Sequence, residues 1–328
     1  MHKNLNFYSE NLIQRANELY FDFMNEKYHN SRPETFEQEK ARWESLATES
    51  LTEFYKLKQK PIKIADLGTG TGFVPLRLAP LLRKEDTFVC SDISGGILAA
   101  AKQNIEKSNF HCKFQFIKIE NKIPLKLPFE NQSLDVITMN AVLHHIKNVD
   151  NFLFEIDRIL KHGGLIFIGH EPNRYFFDNK FLYLQSNILD IIFNPQIFIY
   201  KTFKKIHLDK TIKYIYYLIN NKKKKLLLEH EEVLKKTSEV LIKEKLITKP
   251  ISAEEINKII DIQTFGFKPD SLFAKFTNYK ILNFETYNHI LWVSIKHRNN
   301  WLIRKYEDLL LKKYPKGGAT FFIILKKI

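Results

Sequence analysis

The sequence predicts a doubly wound α/β fold built on a parallel sheet, and three observations carry that expectation. From Pro61 onward, short apolar runs alternate with amphipathic stretches, the pattern of parallel strands joined by crossover helices. The first run ends in the glycine-rich turn "IADLGTGTGF", Ile64 to Phe73. The second ends on Asp92, twenty residues past Gly72, which in an open parallel sheet falls at the carboxyl edge where ligands bind.

Residues 1–60 read as a helical lid. Leu12, Ile13, Ala16, Leu19, Tyr20 and Phe23 recur at helical spacing, and a second helix runs through "PETFEQEKARWESLATESLTEFYKL" with Pro33 in its first turn. The segment 61–172 is the α/β core. Its strands lie near 62–66, 87–92, 114–119, 134–140 and 165–170, and helices near 73–82, 94–106 and 149–161 fill the gaps. Pro80 kinks or ends the first of these helices, Ser94 caps the second, and Gly163 with Gly164 stops the third. Residues 173–250 read as a helical insertion. The chain then returns to the core over 251–328, with a crossover helix capped by Ser252 and a strand near 278–288.

Composition excludes several classes. A chain of 328 residues with 44% hydrophobic content can bury a substantial core. The start lacks the apolar stretch of a signal peptide, and no run approaches the roughly 20 apolar residues of a membrane span. The most apolar segment, Phe181 to Tyr200, is interrupted by Gln185, Asn187, Asp190 and Pro195. Two cysteines, Cys90 and Cys112, lack metal-ligand spacing, so a reduced, cytoplasmic location without a metal site is expected. The net charge of +14 is concentrated in the C-terminal half, yet only nine of the 51 basic residues are arginine. Bidentate recognition of bases and phosphates favours arginine, so a lysine-rich composition is the simpler account and nucleic acid the less favoured partner.

The glycine turn narrows the ligand. Gly68, Gly70 and Gly72 permit unusual dihedrals and close approach to the backbone, and Asp92 can accept both hydroxyls of a ribose. A dinucleotide fingerprint reads G-x-G-x-x-G, whereas this turn reads G-x-G-x-G with Asp66 two residues ahead. A carboxylate there repels a pyrophosphate and suits a ligand with a cationic amino group or sulfonium.

With these residues in place the sequence resembles the class I S-adenosylmethionine-dependent methyltransferases. Four stretches carry the resemblance in order: "IADLGTGTGF", "FVCSDISGGILAAAKQNI", "LPFENQSLDVITMNAVLHHI" and "RILKHGGLIFIGHEPN". The C-terminal "GGATFFIILKK" looks like the family's last, antiparallel strand. The resemblance implies a Rossmann-like, mostly parallel sheet of seven strands and S-adenosyl-L-methionine as cofactor. It implies that Asp66, Gly68, Thr69, Gly70 and Gly72 form the cofactor loop and that Asp92 binds the ribose beside Ile93. Glu120 would be the adenine-side acid, and Asn140 and Ala141 would line the methionine end. Glu120 matches loosely, because extra residues separate it from "LPF".

Methyl transfer needs in-line positioning of a nucleophile and removal of its proton where it carries one. His144 or His145, just past the fourth strand, and Glu171, ending the fifth with His170, are the catalytic candidates. The packing alternative, in which the histidines only support the cofactor or cap a helix, stays open. Tyr8, Tyr28 and Trp43 either cover the site or fill the core of the lid. The insertion interleaves aromatics with lysines, including Lys222 to Lys225, and could cap a hydrophobic substrate, rest on an anionic membrane or form an ordinary helical subdomain. The leading expectation is an enzyme methylating O, N or C of a small or lipid-like acceptor. An RNA or protein methyltransferase, and a catalytically silent binding protein of the same fold, are the alternatives.

Overall fold

Seven strands form one sheet in the order β3-β2-β1-β4-β5-β7-β6. They are β1 (Lys63–Leu67), β2 (Thr87–Asp92), β3 (Lys113–Lys118), β4 (Leu134–Asn140), β5 (Leu160–Pro172), β6 (Tyr279–Tyr287) and β7 (Thr320–Lys327). β1 to β5 pair in parallel, and β7 runs antiparallel to both β5 and β6. The central strands β1, β2 and β4 are almost wholly buried, as a sheet covered on both faces requires, whereas β3 alternates because it is an edge. The strand order reverses between β1 and β4, and that switch point places the glycine turn, Asp92 and Asn140 along one edge. This computed structural model describes residues 8–24, 39–58, 60–193, 221–274, 277–290 and 301–328, with the backbone alone for 221–228. Tyr28, Pro33 and the aromatic run 199–219 lie outside the described residues, as do the side chains of Lys222 to Lys225.

One face of the sheet is covered by α5 (Val149–Ile159), whose Phe152, Ile156 and Ile159 pack against Leu67, Ile137 and Ile166. A π-helical turn (Trp43–Ala47) and α2 (Thr48–Leu57) cover the other, bringing Trp43, Leu51 and Phe54 onto Ile64, Val136 and Phe322. A third cluster lies over the carboxyl edge. It joins α1 (Glu10–Met24) to α8 (Asn221–Lys243) and α9 (Ala253–Ile260), which follow α6 (Arg174–Asp178) and α7 (Lys180–Phe193) in the chain, through Ile13, Ala16, Leu234, Leu241 and Ile256. The α1 stripe Leu12, Ile13, Ala16, Leu19, Tyr20 is buried, as its spacing predicts. Bidentate Arg15–Glu244 hydrogen bonds of 2.9 and 2.7 Å tie α1 to the end of α8.

The far end of α1 is fixed to α4 (Gly95–Glu106). Ser94 caps α4 by accepting from Ile97 N and donates its hydroxyl to Asp22 Oδ1 at 2.6 Å, and Gly96 N donates to the same oxygen at 2.8 Å. Ser94→Ala should therefore cost about 1 to 2 kcal/mol, the loss of a cap and one charge-assisted bond, measured by urea unfolding. An unchanged midpoint would show that Asp22 and Gly96 hold the cap alone.

Three sequence expectations are corrected. The helix expected over 73–82 is only α3 (Pro75–Leu78) followed by a 3-10 turn (Ala79–Leu81), because Pro80 cannot extend it. α5 ends at Ile159, not at the glycine pair. Buried Leu160 already pairs with Leu134 in β5, and Gly163, at φ +73°, lies with Gly164 where the register to β4 shifts. β5 therefore starts five residues earlier than 165.

Candidate active site

The turn after β1 is built around two buried carboxylates. Thr69 N donates to Ser91 O at 2.9 Å, which folds the turn back onto β2. Gly68 and Gly70 adopt φ +69° and +55°. A Cβ on Gly68 would lie 2.6 Å from Val142 Cγ2, so this glycine is required by both conformation and space. Gly72 (φ +93°) faces Ile105 and Ala101 of α4 instead and serves helix packing. Asp66 accepts from Thr69 Oγ1 at 2.8 Å and Thr138 Oγ1 at 2.7 Å; Asp92 accepts from Gly70 N at 2.9 Å and Ser94 N at 3.0 Å. Burial pushes Asp66 up to about 7 and Asp92 up to about 6, against the lowering effect of those donors; the Asp92 charge adds to the first rise and Asp22 to the second. Both carboxylates face a cavity of about 160 Å³.

That cavity has two sides. Asp66, Gly68 to Gly70, Asp92 and Asn140 form the polar one, while Ile93, Ile97, Ile119, Leu125 and Leu127 form an apolar slot. α1 roofs it with Ile13, Gln14, Asn17 and Phe21. An apolar slot beside a ribose-type acceptor and a second buried carboxylate fits S-adenosylmethionine, which combines a flat base, a ribose and a cationic end.

A second cavity of about 430 Å³ adjoins the first and shares Phe21, Asn140, Ala141 and His145 with it. Its polar wall carries His144, His145, His170 and His230. Glu171 is wholly buried and accepts from Val142 N (2.6 Å), Leu143 N (2.8 Å) and His144 N (3.2 Å). It also lies 2.9 Å from His144 Nδ1, which donates to the carboxylate, while His144 Nε2 faces Asp261 Oδ1 at 4.0 Å. His145 Nδ1 donates to Ile260 O at 2.8 Å, and burial with the His144 ring alongside lowers its pKa to about 4. His170 Nδ1 lies 3.1 Å from Oε1 of Glu39, itself buried and bonded by Tyr287 Oη at 2.8 Å. Ala141 (φ +59°) and His170 (φ +56°) hold left-handed backbone, which costs about 1 to 2 kcal/mol for a residue with a Cβ and clusters where function fixes a side chain.

The structure brings Asp66, Gly68, Thr69, Gly70, Asp92, Ile93, Asn140 and Ala141 to the first cavity. It does not bring Glu120. That side chain is 69% exposed and paired with Lys122, because the chain turns outward directly after Ile119. Glu171 sits behind the chamber rather than in it. Trp43 is core, but its Nε1 donates to Asn140 Oδ1 at 2.9 Å, which leaves the Asn140 amide nitrogen for the cavity. Sequence reasoning missed Gln14, Asn17, Glu39 and Asp261. Asn17 had a signal, a polar residue within an apolar helical stripe, whereas Glu39 and Asp261 reach the site only through tertiary packing. His144, His145 and Asp261 place possible metal ligands within 4.8 Å of one another. The His145 nitrogen facing Asp261 at 3.4 Å is the one that donates to Ile260 O, so it is a poor ligand.

The methyltransferase domain family model matches residues 65–168. The ubiquinone/menaquinone biosynthesis C-methyltransferase UbiE of Bartonella tribocorum is 30% identical over 102 residues, 31% of this chain and 38% of that protein. The ubiquinone biosynthesis O-methyltransferase of Pelagibacter ubique is 31% identical over 111 residues, 34% of this chain and 42% of its own. The chain thus spans about two fifths of the length of the curated relatives it matches. A solved methyltransferase from Aquifex aeolicus overlays 43% of this chain and 73% of its own at 22% identity, with a TM-score of 0.34.

Proposed function

Since residues 65–168 are a methyltransferase domain of the class I S-adenosylmethionine-dependent family, we propose that this chain transfers a methyl group from that cofactor to a small organic acceptor in the imidazole-lined chamber. One observation supports this above the rest: the cofactor-type cavity and the chamber meet at Asn140 and Ala141, so a methyl donor in one faces an acceptor in the other. The acceptor atom is O, N or C, and the similar enzymes named above act, by their names, in quinone biosynthesis.

S-adenosylmethionine, when bound, supplies an electrophilic methyl on a sulfonium leaving group. The residues of this chain orient and deprotonate. Glu171 fixes the His144 ring, and its Nε2 would take the proton of an acceptor held in the chamber. Burial lowers the basicity of His145, whose ring packs edge-on against Phe21 with ring centroids 5.5 Å apart. Glu171 is a positioning residue, since its oxygens are already taken by four donors. Peripheral membrane contact through the basic insertion stays a proposal; no helix among the described residues is long and apolar enough to cross a bilayer.

Calorimetry tests the reading. The chain should bind S-adenosylhomocysteine with 1:1 stoichiometry and show no comparable heat with NAD. Tight NAD binding without a response to S-adenosylhomocysteine would overturn it.

A further inference from the structure

The N-terminal helix carries a feature that stability alone leaves unexplained. Asn17 is 5% exposed, and its Nδ2 donates to Ile13 O at 2.9 Å and Ile260 O at 3.4 Å. Its Oδ1 has no hydrogen-bond partner. Gln14, one turn earlier in register with the same cavity, donates Nε2 to Glu10 Oε1 at 3.3 Å, and its buried Oε1 also has no partner. In each amide the nitrogen is engaged, which fixes the orientation and leaves the carbonyl oxygen as the unused group. Both residues line the cavity that holds Asp66 and Asp92. An orphaned buried acceptor costs about 1 to 3 kcal/mol, and two on one helix facing one cavity point to a ligand that supplies donors.

We propose that α1 is an integral wall of the cofactor site, with Gln14 Oε1 and Asn17 Oδ1 accepting hydrogen bonds from the bound cofactor. This rests on the reading of that cavity as the S-adenosylmethionine site. Asp66 and Asp92 already line this cavity together with Lys147, so two further acceptors suit the donor groups of a ligand that carries both an ammonium and a carboxylate. The ammonium group and the ribose hydroxyls of the cofactor both have that chemistry. α1 is also held at both ends, by Arg15–Glu244 and by Asp22 on the N-terminus of α4, so the two oxygens are placed before the ligand arrives. Preorganised acceptors of this kind contribute to affinity without an ordering cost.

The test compares wild type with Gln14→Met and Asn17→Leu, substitutions of similar volume that remove the orphaned oxygen. Calorimetry with S-adenosylhomocysteine should show each variant binding about 5-fold to 10-fold more weakly, and the double variant at least 20-fold. Without ligand, Gln14→Met should melt close to wild type, because deleting the unsatisfied buried acceptor offsets the lost 3.3 Å bond to Glu10; a purely structural role predicts a clear fall. 5′-Methylthioadenosine, which keeps the ribose and lacks the amino acid, separates the two donor sources. Weakening confined to S-adenosylhomocysteine assigns the ammonium group, and equal weakening of both ligands assigns the ribose. Affinity within twofold of wild type for both variants would overturn the proposal. Failure of wild type itself to bind S-adenosylhomocysteine is a different result and would remove the cofactor reading. If Asn17→Leu does not fold, the Gln14→Met comparison decides alone.

Discussion

Glu171→Gln is expected to destabilise the chain by about 2 to 4 kcal/mol and to release the His144 ring from its present tautomer. The carboxylate accepts from three backbone N–H groups and the His144 imidazole while wholly buried. A glutamine of the same shape retains one accepting oxygen and turns an N–H₂ group toward donors that need an acceptor. Two buried donors then lose their partner, at about 1 to 3 kcal/mol each. The damage is local to the turn Val142 to His145, which is also tied by Gln263 N donating to His144 O at 2.9 Å and by His145 Nδ1 donating to Ile260 O at 2.8 Å. Urea unfolding gives the stability change. ¹⁵N spectra of the imidazoles should show His144 moving from Nδ1–H toward Nε2–H, with a corresponding loss of turnover once an acceptor is in hand. A stability change under about 0.5 kcal/mol with an unaltered His144 tautomer would mean that Glu171 does not position the base.

The parts of this molecule legible in the sequence are those where one local pattern determines one local structure. β1, β2 and β4 are mostly apolar and almost wholly buried because both their faces are covered, and the glycine turn is marked by residues whose positive φ no other residue type tolerates as well. Ser94 and Ser252 announce helix starts, and both accept from a backbone N–H three residues on. Glycine misled in one place. Gly163 and Gly164 follow a helical pattern as a stop signal would, but Leu160 had already entered the sheet, and the pair accommodates the register shift instead. Glu120 misled for a related reason. Its place after β3 fits an acid beside an adenine, yet nothing in the local sequence shows whether the chain turns inward or outward there, and it turns outward toward Lys122. The rear of the chamber was least legible. Glu39 meets His170 and Tyr287 across separations of 131 and 248 residues, and no periodicity encodes such a contact.

Cofactor affinity is expected to fall steeply with acidification, starting well above the usual carboxylate range. Asp66 is raised from 3.8 to about 7 and Asp92 from 3.8 to about 6, in both cases first by burial. For folding, a raised carboxylate contributes stability that is whole below the unfolded value near 3.8 and is lost as pH rises through the folded value, because the unfolded chain ionises first. The chain without ligand should therefore lose stability between about pH 4 and pH 7 from these two groups. Binding reverses the sense. A cationic ligand with ribose hydroxyls favours both ionised carboxylates, so the competent fraction of the protein is the ionised one. With Asp66 near 7, about 1% of the protein is competent at pH 5, which weakens apparent affinity about 100-fold relative to pH 8 or above. Asp92 adds a further loss below pH 6. S-adenosylmethionine, which carries the sulfonium, should respond more strongly than S-adenosylhomocysteine, because ionised Asp66 attracts that extra charge. Asp66→Asn should bind more weakly at pH 8 and flatten the profile between pH 6 and 8, leaving the lower limb set by Asp92. Calorimetric dissociation constants at half-unit steps from pH 5 to 8.5 check this. A profile for the unaltered chain that is level down to pH 5 would show that neither carboxylate must ionise to hold the cofactor, and the assignment of Asp66 to its cationic end would fall with it.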